Sequence, residues 1–156
     1  MITFAFSPHI TGLGLLAQSR AASSTFCLAV TDLDAFKQIN DTAGHAVGDR
    51  VLEGVGNALA NSLRPTDVVG RLGGDEFLIL LPQADREGAR VAMNRAVAGL
   101  PSMHINGEEQ AISISVGIAA YPQDGETFDA LYQAADERLY QAKGVSGRSA
   151  VMAEAG

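Results

Sequence analysis

Asp67-Val-Val-Gly-Arg-Leu-Gly-Gly-Asp-Glu-Phe-Leu-Ile-Leu-Leu81 is the stretch on which the reading of this 156-residue chain turns. Two strand-like runs, Asp67–Leu72 and Phe77–Leu81, flank a tip of Gly73, Gly74, Asp75 and Glu76. Glycine accepts the positive φ that tight turns require, so the Gly-Gly pair predicts a β-hairpin. The second run is apolar throughout, which predicts a central strand covered on both faces. Two adjacent acids at such a tip are costly unless a cation meets them. Beside backbone that a ligand can approach closely, they point to a divalent metal and a phosphate substrate. A solvated polar turn is the ordinary reading of an isolated Gly-Gly-Asp-Glu, so the rest of the chain has to decide.

Working outward, Thr25–Asp32 reads as a buried strand that runs into Leu33, Asp34 and Phe36. Val47, Val51, Val55, Leu59 and Leu63 recur every four residues, predicting a helix with one buried stripe that Pro65 ends. Ala84–Leu100 predicts another helix. Ile112, Ile114, Val116 and Ile118 alternate with Ser113, Ser115 and Gly117, the period of a strand. The stripe Phe128, Leu131, Ala135, Leu139 and Ala142 predicts a further helix, and Ser149–Met152 a short last strand. Near the start, Thr11–Arg20 reads as a short helix weakened by Gly12 and Gly14. Residues 1–24 are therefore read as a lead-in and 25–156 as the main domain. This order predicts an α+β fold, ferredoxin-like or palm-type: a central mixed antiparallel sheet flanked by helices, with the acidic signature on a hairpin.

Composition narrows the function. Apolar residues are 47% and charged residues 19%, which fits a folded domain rather than a disordered chain. A net charge of -7 argues against nonspecific nucleic-acid binding, which needs a basic face, but not against a nucleotide held through a metal. Cys27 is the single cysteine and lies in an apolar run, so it reads as a core thiol in a reducing compartment. The sequence has no stretch long enough to cross a bilayer and no basic n-region at its start, predicting a cytoplasmic domain without a membrane segment.

Asp32 and Asp34 are two apart, so on a continuing strand both face one side. If that strand lies beside the hairpin, Asp32 converges with Asp75 and Glu76 at one end of the sheet. Hard carboxylate oxygens at that density suit Mg²⁺. The competing role for Asp32 is to cap the next helix. Asn40 offers a donor and an acceptor, and Asp49 can take the two donors of guanine N1 and N2; alternatively Asp49 stabilises the start of its helix. His45 has no partner at metal-ligand spacing and reads as structural.

These residues resemble the GGDEF family, the diguanylate cyclases of bacterial signalling. The resemblance rests on Asp32-Leu33-Asp34-x-Phe36-Lys37-x-Ile39-Asn40-Asp41, Gly44-His45-x-x-Gly48-Asp49, Arg71-x-Gly73-Gly74-Asp75-Glu76-Phe77, Ser115-x-Gly117-Ile118-Ala119 and Ala134-Ala135-Asp136-x-x-Leu139-Tyr140-x-Ala142-Lys143. It implies condensation of two GTP into cyclic di-GMP with release of pyrophosphate, across a homodimer in which each copy holds one GTP. It further implies that Asp32, Asp75, Glu76 and the Leu33 carbonyl hold Mg²⁺, two ions per site with Mn²⁺ as a substitute, and that Asp75 and Glu76 are the catalytic carboxylates, Glu76 either as a metal contact or as the group that helps deprotonate the 3′-hydroxyl. By the same resemblance Asn40 and Asp49 read guanine, while Phe36, Lys37, Lys143 and Arg148 meet the phosphates. Arg64-Pro65-Thr66-Asp67 matches the family's inhibitory site for cyclic di-GMP; the plain alternative is a surface ion pair.

The chain departs from the family pattern at two places. Pro8, Leu15 and Leu16 replace family residues of the lead-in, of which Thr11-Gly12-Leu13 remains. The run from Lys143 to Arg148 is one residue longer than usual. An upstream sensor or receiver module, expected to bring two copies together, is absent from this sequence. Two further readings stand beside the cyclase: a catalytically silent module that binds cyclic di-GMP or GTP, and a purine cyclase on a related sheet.

Overall fold

The computed structural model describes residues 8–144 and 150–154. Strand β1 (Phe26–Leu33) lies at the centre of a five-stranded sheet ordered β2-β3-β1-β6-β7. Its neighbours β3 (Glu76–Pro82) and β6 (Ile114–Tyr121) both run antiparallel to it. Strand β2 (Val68–Gly73) forms the hairpin with β3, and β7 (Ala150–Met152) adds to β6 in parallel, which makes the sheet mixed. A strand, helices, a hairpin, a helix and a return strand beside the first are the split βαβ arrangement of a ferredoxin-like sheet. The expected α+β class is the one observed.

Period-two side-chain alternation divides β3 between two cores. Phe77, Ile79 and Leu81 enter the first core, with Val51, Leu52, Val55 and Leu59 of α3 (His45–Ser62) and Ala89 and Met93 of α4 (Arg86–Ala98). Leu78 and Leu80 enter the second, with Leu16 of α1 (Pro8–Ala22) and Leu131, Ala135 and Leu139 of α5 (Phe128–Lys143). Five consecutive buried residues on β3 thus reflect helices on both faces, as its unbroken apolar run predicts. Strand β6 is buried at all eight positions although Ser115 and Gly117 alternate with its apolar residues. Small residues on that face let α5 sit close to the sheet. Cys27 is fully buried, and burial first, then the Asp85 charge, pushes its thiol up to about 12. It is an inert core residue.

The structure adds elements that the pattern did not give. Helix α2 (Phe36–Ala43) precedes α3, from which Gly44 separates it at φ 92°. Phe36, Ile39 and Ala43 form its core-facing side, but over eight residues none is fully buried and the stripe is short. A small hairpin joins β4 (Ser102–Ile105) to β5 (Glu108–Ala111) through Asn106 and Gly107, both at positive φ. Asn-Gly is a strong turn dipeptide, but Ser102–Ile105 alternates over only four residues and Glu108–Ala111 is almost wholly polar. Helix α1 is longer than Thr11–Arg20, and α4 starts at Arg86 behind an Asp85 cap whose carboxylate accepts from Gly88 N at 2.7 Å.

One buried charge cluster ties these layers together. Asp124, in the β6–α5 connection, accepts from Arg138 of α5 at 2.8 and 2.9 Å, from Arg86 of α4 at 3.1 Å, and from Ala120 N at 2.7 Å. Arg138, only 8% exposed, also donates to the Ile118 carbonyl at 2.7 Å. Burial works against the Asp124 charge, yet the arginines and the Ala120 N–H hold its carboxyl below the usual range.

Candidate functional site

The strand register puts the acids together. Asp32, near the end of β1, is paired with Glu76 on β3 and Ser115 on β6. Asp75 sits in the turn before β3, where Gly73 and Gly74 adopt positive φ; its carbonyl accepts from Leu33 N at 3.3 Å. Arg71 braces the tip by donating to the Gly74 carbonyl from Nε at 3.0 Å and from its terminal nitrogen at 2.7 Å. Burial, then a hydrogen bond shared with Asp32 and the charge of that carboxyl, pushes Asp75 up to about 6. Glu76 is raised by burial, Asp32 and Asp136, against the pull of Lys143.

Lys143, in the last turn of α5, reaches over the second core to this cluster. Its Nζ lies 3.0 Å from Asp32 Oδ2 and 3.9 Å from Asp34 Oδ1. Asp32 and Asp34 therefore do face the same side. Both oxygens of Asp34 are already engaged, by the hydroxyls of Ser113 and Ser115 at 2.7 Å each. Asp32 Oδ1, by contrast, is buried and has no hydrogen-bond partner among the described residues. Asp32 caps no helix: Ala35, in the left-handed region, precedes α2 without any side-chain cap.

Asn40 lies on α2 and Asp49 on α3, at the V formed around Gly44. Asn40 Oδ1 is the second buried polar atom with no partner, and Asp49 is exposed. Asp49 is not in the first turn of α3, so it does not serve as a cap. Phe36 opens α2 against the first core, and the neighbouring Lys37 is exposed. Arg148 lies outside the described residues. Arg64 and Asp67 occupy the other end of the sheet. Arg64 NH2 donates to Asp67 Oδ1 at 3.1 Å and to the Pro82 carbonyl at 2.9 Å, while its backbone N–H meets Asp67 Oδ2 at 2.9 Å. With Pro82 and Glu76 at opposite ends of β3, this pair stands about 20 Å from the acidic cluster at strand spacing.

The profile of the family described as "Diguanylate cyclase, GGDEF domain" matches residues 12–149. The chain belongs to the GGDEF family. It is 42% identical over 119 residues to the diguanylate cyclase DgcP of Pseudomonas aeruginosa, covering 74% of this chain and 17% of that one. Among solved structures, the GGDEF domain of TpbB (YfiN) from Pseudomonas aeruginosa superposes with a TM-score of 0.86 at 33% identity, over 94% of this chain and 87% of that one. The GGDEF domain of DgcB from Caulobacter crescentus, solved in complex with c-di-GMP, gives 0.80 at 30% identity, over 91% and 85%. The chain spans 17% to 36% of the length of the first curated relatives it matches.

In this GGDEF fold the acidic cluster fits a divalent cation. Asp32 presents a buried oxygen with no hydrogen-bond partner among the described residues, and burial beside Asp32 disfavours the Asp75 charge, which a nearby cation would stabilise. Among the described residues no three His, Cys, Asp or Glu side chains form a closed cage. Mg²⁺ requires none, since it binds through one or two carboxylates with water and phosphate as its other ligands. The sequence assigns no role to Arg71, to Ser113 and Ser115, which hold Asp34, or to Arg95. Arg95 and Arg64 line the same cavity of about 380 Å³, with Thr25, Asp85 and Val91. Only the fold brings them together, because they lie on different elements. Among the described residues no helix is long and apolar enough to cross a membrane.

Proposed function

We propose that this GGDEF domain is a diguanylate cyclase that condenses two GTP into cyclic di-GMP, each of two facing copies holding one nucleotide. The observation that carries the reading is the convergence of Asp32, Asp75, Glu76 and Lys143 at one sheet end, with Asp32 Oδ1 left without a partner. The 3′-hydroxyl of each GTP attacks the α-phosphate of the other; two P–O bonds form, and the two bonds to pyrophosphate break. Mg²⁺ ions, two per site with Mn²⁺ as a substitute, would be held by Asp32, Asp75, Glu76 and the Leu33 carbonyl, and when bound they neutralise the phosphates and acidify the attacking hydroxyl. Glu76 either completes the metal site or receives that hydroxyl's proton. Lys143 leaves Asp32 for the triphosphate, joined by Lys37, the backbone at Phe36, and Arg148. Phosphoryl transfer needs mostly positioning and charge neutralisation, which these groups supply. Asn40 and Asp49 read the guanine edge.

Since one copy carries half of the reacting centre, the rate per chain should rise with chain concentration. Turnover measured over a wide dilution series checks this; a constant rate per chain would contradict the two-copy arrangement. An upstream module that brings copies together belongs to the same reading.

The Arg64–Asp67 end is read as a product site. Arginine can grip guanine O6 and N7 with two parallel bonds, and Arg95 provides a second guanidinium in the same cavity. At about 20 Å from the acids, product there acts on the arrangement of the copies and does not compete with GTP. Arg64→Ala and Arg95→Ala should each relieve inhibition by added cyclic di-GMP while leaving the initial rate unchanged. Inhibition curves identical to those of the unsubstituted chain would refute the assignment.

A further inference from the structure

Gly48 lies on the first turn of α3 and is buried. A Cβ built on it would overlap Asn40 Oδ1, approach Asn40 Cγ to 3.0 Å and Phe36 Cζ to 3.4 Å. The Asn40 carboxamide therefore occupies the space that any side chain at position 48 would fill. The backbone explains the close approach. Asn40 O accepts from Gly44 N at 3.0 Å, and Gly44 O accepts from Gly48 N at 3.1 Å. The two helices thus turn on Gly44 within a single hydrogen-bonded span, which folds α2 onto the start of α3. Phe36 Cζ borders the same space, 3.4 Å from a Cβ built on Gly48.

We propose that Gly48 is the positioning residue for base selectivity: its bare Cα is the seat that fixes the Asn40 carboxamide beside Asp49. The inference rests on the nucleotide reading above and extends it to a residue that does not itself touch the base. A buried acceptor without a donor is costly unless a ligand supplies one. Asn40 Oδ1 is such an acceptor, and the next residue after its seat is the exposed carboxylate of Asp49. The Asp49 carboxylate can take both donors of an edge that carries two, and the Asn40 carboxamide, seated against Gly48 at the turn between the two helices, borders it from a fixed position. Guanine presents N1–H and the 2-amino group on one edge; hypoxanthine lacks the amino group, and adenine has neither donor there. Sites that hydrogen-bond a group reject analogues without it, provided the partners are held in place.

The experiment compares GTP and ITP binding to the full chain by calorimetry in Mg²⁺, alongside thermal unfolding. Gly48→Ala is expected to weaken GTP binding by about tenfold and to bring the GTP-to-ITP ratio close to that of Asn40→Ala. The double variant Asn40→Ala/Gly48→Ala, which has no carboxamide to displace, should match Asn40→Ala in both ratio and midpoint. An unchanged ratio in Gly48→Ala would overturn the assignment. So would a double variant that loses stability by the full amount of Gly48→Ala, since that loss would then have nothing to do with Asn40. Absence of GTP binding by the unsubstituted chain would overturn the nucleotide reading itself, a result separable from the other two.

Discussion

Asp75→Asn is expected to lower cyclic di-GMP formation by about 10²–10³-fold, the size of effect that follows loss of one preorganised electrostatic group from an active site. Asparagine keeps the size of the side chain and removes its charge. Asp75 stands beside Asp32, and its carboxyl is pushed up to about 6 by burial and that neighbour. Two acids this close repel each other unless a cation lies between them. Taking one charge away should thus leave the melting temperature unchanged or slightly higher while activity collapses. Opposed effects on activity and stability would mark the residue as functional. Initial rates by chromatography and a thermal melt check both halves; a variant within threefold of the unsubstituted rate would remove Asp75 from the reaction.

The largest stability effect is expected at Asp124→Ala. That substitution leaves Arg138, 8% exposed, without its partner, and frees Arg86 from the same carboxylate. Breaking a buried pair by removing one partner costs about 3–5 kcal/mol, because the remaining charge stays buried and uncompensated. For a domain of this size the midpoint should fall by roughly 6–20 °C. The exposed Arg90–Glu87 pair is the internal contrast, and Glu87→Ala should give no measurable change. The pH dependence has a definite sign. The Asp124 carboxyl is held below its unfolded value, so its stabilisation is present above the ordinary carboxylate range. It is lost as pH falls through the lowered folded value. Unfolding curves of the unsubstituted chain should therefore converge with those of Asp124→Ala on acidification, and a gap constant down to the acid transition would contradict the account.

Much of the site was legible because its residues lie at the ends of strongly patterned elements. The apolar β3 run and the Thr25–Asp32 run could only be buried strands, and the Gly73–Gly74 turn brings Asp75 and Glu76 to the end of β1. Asp32 then follows from strand direction alone. Lys143 came from the family resemblance and not from the α5 stripe, and its contact with Asp32 depends on which face that helix covers. The remainder was hidden for identifiable reasons. Helix α2 is only eight residues long, and its apolar face of Phe36, Ile39 and Ala43 is too short to stand out as a stripe. Arg138 looks like a solvent-facing charge on an amphipathic helix until its neighbour Asp124, from the preceding connection, is placed. Arg64 and Arg95 are 31 positions apart and meet only because α3 and α4 cover the same face of the sheet. The serines of the 112–118 run alternate as an exposed face would, yet α5 covers that face and Asp34 takes both hydroxyls.

The most direct test is the product formed by the unsubstituted chain at high concentration with Mg²⁺ and GTP, analysed beside an identical incubation with ATP. The account predicts cyclic di-GMP and pyrophosphate from GTP, two pyrophosphates for each cyclic product, and no corresponding product from ATP. Saturable GTP binding with the nucleotide recovered intact would contradict it in favour of a silent binding module. A 3′,5′-cyclic mononucleotide would contradict it in favour of a different cyclase chemistry.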